Sequence, residues 1–348
     1  MKVLVTGHLG YIGTVMVPEL IERGHDVVGL DSDLFRECSF DDTSIVRVPE
    51  LIKDVRDVSI SDMRGFDAVI HLANLSNDPL GNLNPNLTYE INHLGSVQLA
   101  SFARKAGVER FLFSSSCSLY GAAGLDAVTE SAEFNPVTPY GKAKVLAERD
   151  IALLASDEFS PIFLRNATAY GVSPRFRFDL VVNNLTAWAL ATGKIMIKSD
   201  GSPWRPLVHI RDITSAFIAA LEAPKATIHN EAFNVGSTGE NYQIRDIARI
   251  VGETVPNCEV AFAEGASPDK RSYQVSFDKI ESTLPGFSPE WTARRGVEEV
   301  YEALRDRSIS VDEFEGPRYR RIKSIQNLLA EGKITSELRR TDIVEAEL

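Results

Sequence analysis

The chain is 348 residues long, with 44% hydrophobic and 25% charged positions, proportions that exclude disordered, collagenous and disulfide-scaffold classes. Thirty-seven Lys and Arg against 49 Asp and Glu leave a net charge of −12, a field that argues against nucleic acid or an anionic membrane surface as partner. Cys38, Cys117 and Cys258 form no C-x-x-C pair, the histidines are scattered singly, and no apolar run reaches the ~18 residues of a membrane span, so a cytoplasmic protein without metal or disulfides is expected.

The first predicted strand, 3–6, runs into V-T-G-H-L-G-Y-I-G and then a helix over 11–23. Gly7, Gly10 and Gly13, with Tyr11 and Ile12 between them, have the spacing of a phosphate cradle. The first glycine permits the tight turn, the second lets backbone approach a diphosphate, and the third packs helix on strand. Pro18 inside that helix removes one backbone bond and predicts a kink. A second strand, 27–31, ends in Asp31, 18 residues beyond Gly13. A carboxylate there accepts from ribose hydroxyls and repels a 2′-phosphate, and the glycine loop contains no Arg to neutralise one, which favours NAD over NADP. A short third strand is expected to end at Asp54 and Val55, in position to flank the adenine.

Strands at 68–73, 111–114 and 162–165 alternate with helices at 88–106 and 140–155. This rhythm predicts an α/β fold with a Rossmann-like doubly wound parallel sheet. The strand at 111–114 carries the hydroxyl cluster F-L-F-S-S-S-C-S-L-Y-G. Tyr140 and Lys144 follow, four apart on one face of the next helix, where a lysine can depress a phenol's pKa. Tyr319 and Lys323 share the spacing but follow no such strand. After residue 170 the rhythm weakens, with helices predicted at 213–222 and 244–255. The organisation expected is an NAD-binding domain over 1–170, mainly a smaller α/β substrate lobe over 171–309 with segments that can recross to the first domain, and a helical extension over 310–348, whose helix at 318–331 is expected to lie on the lobe surface.

Together these motifs resemble the extended short-chain dehydrogenase/reductase family, in particular its NAD-dependent nucleotide-sugar epimerases and dehydratases. The resemblance covers about the first 280 residues and implies a catalytic set of Ser116, Tyr140 and Lys144. It suggests Asn92, in Y-E-I-N-H-L-G, as support for the active-site helix, and places Leu72, Ala73 and Asn74 of V-I-H-L-A-N near NAD, with His71 a core residue. In the second half N-N-L resembles the nucleotide-diphosphate contact, with Asn184 the better match, and W-R-P-L-V-H-I-R-D the segment whose Arg grips the diphosphate, here Arg205. Arg271 is a second candidate clamp, and Arg175 and Arg177 read as loop charges in water. The family also implies a homodimer formed through two helices.

The residues beside Ser116 bear on the reaction. Dehydratases of the family carry an Asp-Glu pair there, and decarboxylating members a Glu, because elimination and loss of CO₂ need an extra acid or base. Here Cys117 and Ser118 stand instead. The expectation is epimerisation of a nucleotide-diphosphate sugar at C4 through a transient 4-keto sugar. A 4-ketoreductase is the alternative; a 4,6-dehydratase, a 3,5-epimerase or a silent NAD-binding protein ranks below it. Two departures bear on the sugar pocket. Arg165-Asn166-Ala167-Thr168 stands where epimerases often have R-Y-F-N, which brings Thr168 to a substrate-contacting position, and Ala266 and Pro268 replace a late Arg motif. Cys117 is a candidate acid for an enolising reaction or else a small buried hydrophobe.

Overall fold

Apolar runs without polar alternation belong to strands covered on both faces. In the computed structural model, which describes residues 1–121, 126–197, 199–262 and 272–342, they form one seven-stranded parallel sheet. Its first six strands are β1 (Lys2–Thr6), β2 (Asp26–Asp31), β3 (Glu50–Ile52), β4 (Ala68–His71), β5 (Arg110–Ser116) and β6 (Ser160–Asn166). The smaller lobe contributes β7 (Thr168–Tyr170), β8 (Lys194–Ile197) and β9 (Trp204–His209) before the chain returns as β10 (Glu231–Val235) to the edge beside β6. The sheet order is β10-β6-β5-β4-β1-β2-β3, so the direction of winding reverses between β1 and β4. A crevice opens there, at the carboxyl ends of the strands, where ligands of such sheets bind.

The third strand ends at Ile52, earlier than the sequence pattern suggests. Asp54 leaves the sheet because its side chain caps the short turn Val55–Asp57, accepting from the Arg56 N–H at 2.9 Å. Helix α1 (Gly13–Glu22) runs through Pro18 as one element. The helix expected over 88–106 changes gauge: a turn at Pro85–Thr88 passes into a π-helix, Tyr89–Gly95, and then into α2 (Ser96–Lys105). Helix α3 (Pro139–Ala152) starts where Thr138 caps it, its Oγ1 accepting from the Gly141 N–H, with Pro139 in the first turn where its missing donor costs nothing.

In the smaller lobe β9 pairs with β7 and with β11 (Asn241–Gln243), and β8 pairs with β12 (Glu259–Phe262). Helices α4 (Val181–Thr192), α6 (Ile244–Thr254) and α7 (Ala293–Leu304) bury Val182, Leu185, Ile247, Val251 and Val297 in a core of its own. Between them in sequence, α5 (Ile210–Glu222) rejoins the first domain, packing Ile213, Ala216 and Phe217 with Val3, Val5 and Met16. The last helix, α8 (Arg321–Ala330), also differs from expectation. It lies on the first domain rather than on the lobe, because Ile325, Leu328, Ile334 and Leu338 share a core with Leu4, Leu30 and Val55.

Candidate active site

A cavity of about 1180 Å³ occupies the crevice, more than the ~300–1,000 Å³ of a site for one small ligand. Its floor is the glycine loop. Gly7 has φ +76°, and a Cβ there would sit 2.7 Å from the Ala73 nitrogen; a Cβ at Gly13 would strike the Gly7 carbonyl. Only glycine permits this cradle, and with Gly10 and Ile12 it faces the cavity at the amino end of α1. The Tyr11 side chain turns into the core, its hydroxyl donating to the Gly171 carbonyl at 2.7 Å, and burial drives its pKa upward.

Asp31 stands at one end of the cavity. Its carboxylate accepts from the backbone N–H groups of Leu9 and Asp33 at 3.1 and 2.9 Å, and burial raises its pKa. Asp54 and Val55 line the wall beyond, Asp54 held by Arg56 at 2.7 Å. Leu72, Ala73 and Asn74 line the wall after β4, and the buried Asn74 Oδ1 has no hydrogen-bond partner among the described residues. Ser115 Oγ, Ser118 Oγ and Asn166 Oδ1 are likewise buried at the wall without partners among the described residues. A narrow glycine cradle followed by a row of unmet polar atoms fits a dinucleotide.

At the opposite end stand Ser116, Tyr140 and Lys144. Ser116, last in β5, accepts from the Ser118 N–H at 3.2 Å and reaches the Tyr140 side chain. Burial pushes the Tyr140 phenol up to about 12, while the Ser116 hydroxyl and the Arg177 guanidinium pull it down and the Asp78 carboxylate pushes it up. Lys144 is 2% exposed; it donates to the Ser114 carbonyl and lies 5.8 Å from the Tyr140 ring. Burial pulls its pKa down to about 7, well below the ordinary lysine range. Asn92 does not touch this group directly. From the π-helix it brackets Leu75, accepting from its N–H at 2.8 Å and donating to its carbonyl at 3.0 Å. His71 is a core residue, bonded to Thr6 and Ser96, and burial holds its pKa near 3.

Thr168, Asn184 and Arg205 line the lobe side of the same cavity. The Asn184 amide donates to the Phe178 carbonyl at 2.8 Å, and Arg205 donates to the Trp204 carbonyl and lies 5.9 Å from the Tyr273 ring. Arg271 lies outside the described residues. Cys117 is placed elsewhere: it is fully buried in the core with Leu119 and Leu164, its thiol donates to the Arg165 carbonyl at 3.1 Å, and burial raises its pKa far above neutrality. A substrate-facing position is therefore closed to it. Tyr319 packs against Phe178 at 4.9 Å in the core while Lys323 is exposed, which removes that pair.

Arg175 and Arg177 are not wet loop charges. They are 4% and 6% exposed, and Arg177 lines the cavity, bonded to Asp179 and Ser76. The run S-P-R-F-R-F-D held the signal: two arginines interleaved with two apolar rings describe a segment packed on every side. Arg320, Arg321 and Leu338 also line the cavity, from a part of the chain where no motif pointed.

The model of the NAD-dependent epimerase/dehydratase family matches residues 3–236. The chain belongs to this family. It is 30% identical over 336 residues to a UDP-glucose 4-epimerase of Erwinia amylovora, covering 86% of this chain and 95% of that one. Among solved structures it is similar to MoeE5 in complex with UDP-glucuronic acid and NAD, with a TM-score of 0.77 and 27% identity over 89% of this chain and 100% of the other. The UDP-glucose 4-epimerase of Thermotoga maritima with UDP-glucose gives a TM-score of 0.76 and 25% identity over 88% and 99% of the two chains. The protein is thus an NAD-dependent enzyme of the extended short-chain dehydrogenase/reductase type, among its nucleotide-sugar epimerases. No helix among the described residues is long and apolar enough to cross a membrane.

Proposed function

We propose that the enzyme epimerises a nucleotide-diphosphate sugar at C4 through a transient 4-keto sugar. The observation that carries this reading is the grouping of Ser116, Tyr140 and Lys144 at one end of the cavity, with Cys117 and Ser118 in place of an acid pair after Ser116. The glycine loop, Asp31 and the wall from Leu72 to Asn74 would hold NAD, which when bound accepts a hydride from the sugar carbon and returns it. Tyr140 Oη, in the phenolate form that the positive charges of bound NAD and of protonated Lys144 would favour, takes the proton of the C4 hydroxyl and later gives it back, and Ser116 Oγ donates to the same sugar oxygen. The Lys144 amine, anchored by the Ser114 carbonyl, lies within reach of the phenol and in its protonated form stabilises charge developing there. Arg205 and Asn184 are suited to the nucleotide's diphosphate, since a guanidinium fork donates in a plane to two oxygens. Thr168 faces the sugar. A homodimer built on two helices belongs to the same reading.

The test is incubation with a panel of nucleotide hexoses in D₂O without added cofactor, read by NMR and mass spectrometry. The expected product is the C4 isomer with no deuterium on carbon. Carbon-bound deuterium would mean enolisation, and loss of water would mean elimination; either overturns the reading.

A further inference from the structure

Three buried arginines, Arg175, Arg177 and Arg321, and the half-buried Arg320 meet where the C-terminal extension reaches the cavity, and all but Arg321 have a carboxylate. Arg177 pairs with Asp179 at 2.8 Å, Arg175 with Asp42 at 3.3 Å, and Arg320 with Glu315. Arg321, 3% exposed and part of the cavity wall, has no carboxylate within ion-pair distance among the described residues. Its Nη2 donates to the Arg175 carbonyl at 3.0 Å, whereas its buried Nη1 meets no acceptor among the described residues. Burial and the Arg177 guanidinium pull its pKa down, against the neighbouring Cys38 side chain, which hydrogen-bonds it, and the Asp179 carboxylate. Among the described residues the Asp179 carboxylate is ion-paired with Arg177 alone, which leaves Arg321 without a direct counter-charge. A buried guanidinium with a donor unmet is costly unless an anion completes it.

The place of this surplus charge defines the anion. Arg321 lies 5.0 Å from the ring of Phe35, in the loop after β2 that starts at Asp31, and Arg177 lies 6.0 Å from the ring of Tyr11 in the glycine loop. In the sheet β1 lies between β2, which ends at Asp31, and β4, with β5 and Ser116 one strand further on. A dinucleotide with its ribose at Asp31 and its reactive end at Tyr140 must therefore carry its diphosphate past the amino end of α1. We propose that Arg321, seconded by Arg177, is a cationic clamp on the dinucleotide's diphosphate, facing the glycine loop from the opposite side. The clamp comes from α8, beyond the 3–236 segment that the family model covers, so the C-terminal extension is a working part of the cofactor site.

The inference rests on NAD as cofactor and is independent of which carbon is epimerised, so its test reads binding and not turnover. Calorimetry would compare NAD-stripped parent with Arg321→Met, which keeps the length and apolar stem of the side chain, using ADP-ribose and adenosine as probes. Losing a charge-assisted bond to the diphosphate should weaken ADP-ribose about 10- to 100-fold and leave adenosine unchanged. The stripped variant should melt no lower than the parent, because an unmet buried cation has been removed. Arg321→Lys keeps the charge without the fork and should lose part of the affinity; it serves alone if the Met variant does not fold. Unchanged ADP-ribose affinity in both variants would overturn the proposal, as would a fall in UDP affinity of the NAD-loaded enzyme with ADP-ribose unaffected.

Discussion

At the scale of single residues, Tyr140 and Lys144 show how burial sets two pKa values against each other. The phenol is pushed up to about 12 and the amine down to about 7, so within the protein alone the proton stays on Tyr140 Oη at neutral pH. Tyr140→Phe removes the group that exchanges a proton with the sugar and should cut turnover ~10²–10⁴-fold, the range of general acid–base catalysis, while NAD copurifies undiminished. Loss of NAD from that variant would instead make Tyr140 a cofactor contact. Lys144 carries a pH signature of its own. Its folded pKa lies below the unfolded value, so between about pH 7 and the ordinary lysine range the unfolded chain binds a proton that the native protein does not. The unfolding free energy therefore rises with pH across that window on account of Lys144. Denaturant titrations of the NAD-stripped protein at pH 7 and pH 9.5 should show that rise, and Lys144→Met should lack it. A parallel pH dependence in parent and variant would mean that Lys144 stays charged when buried.

At the scale of elements, the parallel strands were legible because burial on both faces leaves unbroken apolar runs, and the glycine cradle because backbone crowding allows nothing larger. The helix register around Asn92 was not legible. Periodicity alone reads residues 88–106 as one helix, yet Tyr89–Gly95 is wound as a π-helix. The extra residue in that turn is recorded in where the Asn92 amide goes: both ends of it are spent on the N–H and C=O of Leu75, in the loop between Asn74 and Ser76 at the cavity wall. Asn92→Ala would leave two buried backbone groups unmet at ~1–3 kcal/mol each and release that loop. The variant should lose several degrees of melting temperature and hold NAD more weakly, measured by thermal unfolding with and without added NAD. A full loss of stability with unchanged NAD affinity would confine Asn92 to the fold. The C-terminal contribution escaped the sequence for a related reason. Leu338 has φ +59° and lines the cavity, while Arg339 and Arg340 bond to Asp57 and Glu37 in the loops after β3 and β2. These contacts span about 280 to 300 residues of chain, and no local pattern announces them.

For the whole molecule, the unpaired apolar side chains bear on assembly. Leu94 in the π-helix is 58% exposed, and Leu153 just past the end of α3 is 79% exposed, although neighbouring positions of both helices are buried in the shared core. The two elements are held side by side by His93 and Asp150, 2.6 Å apart, so the leucines flank one helical face. A chain of net charge −12 resists self-association across most of its surface, and apolar side chains on paired helices are where that resistance is weakest. A two-fold axis beside this face would pack the helix pair against its own copy, an isologous contact in which each leucine is used twice. The proposed homodimer is then predicted to depend on Leu94 and Leu153. The parent chain should have the mass of a dimer by light scattering at micromolar concentration, and Leu94→Glu with Leu153→Glu should shift it to a monomer. Because both side chains already face water, the double variant should unfold as a monomer with only a small intrinsic loss of stability. A parent chain that is monomeric, or a variant that remains dimeric, would place the assembly surface elsewhere.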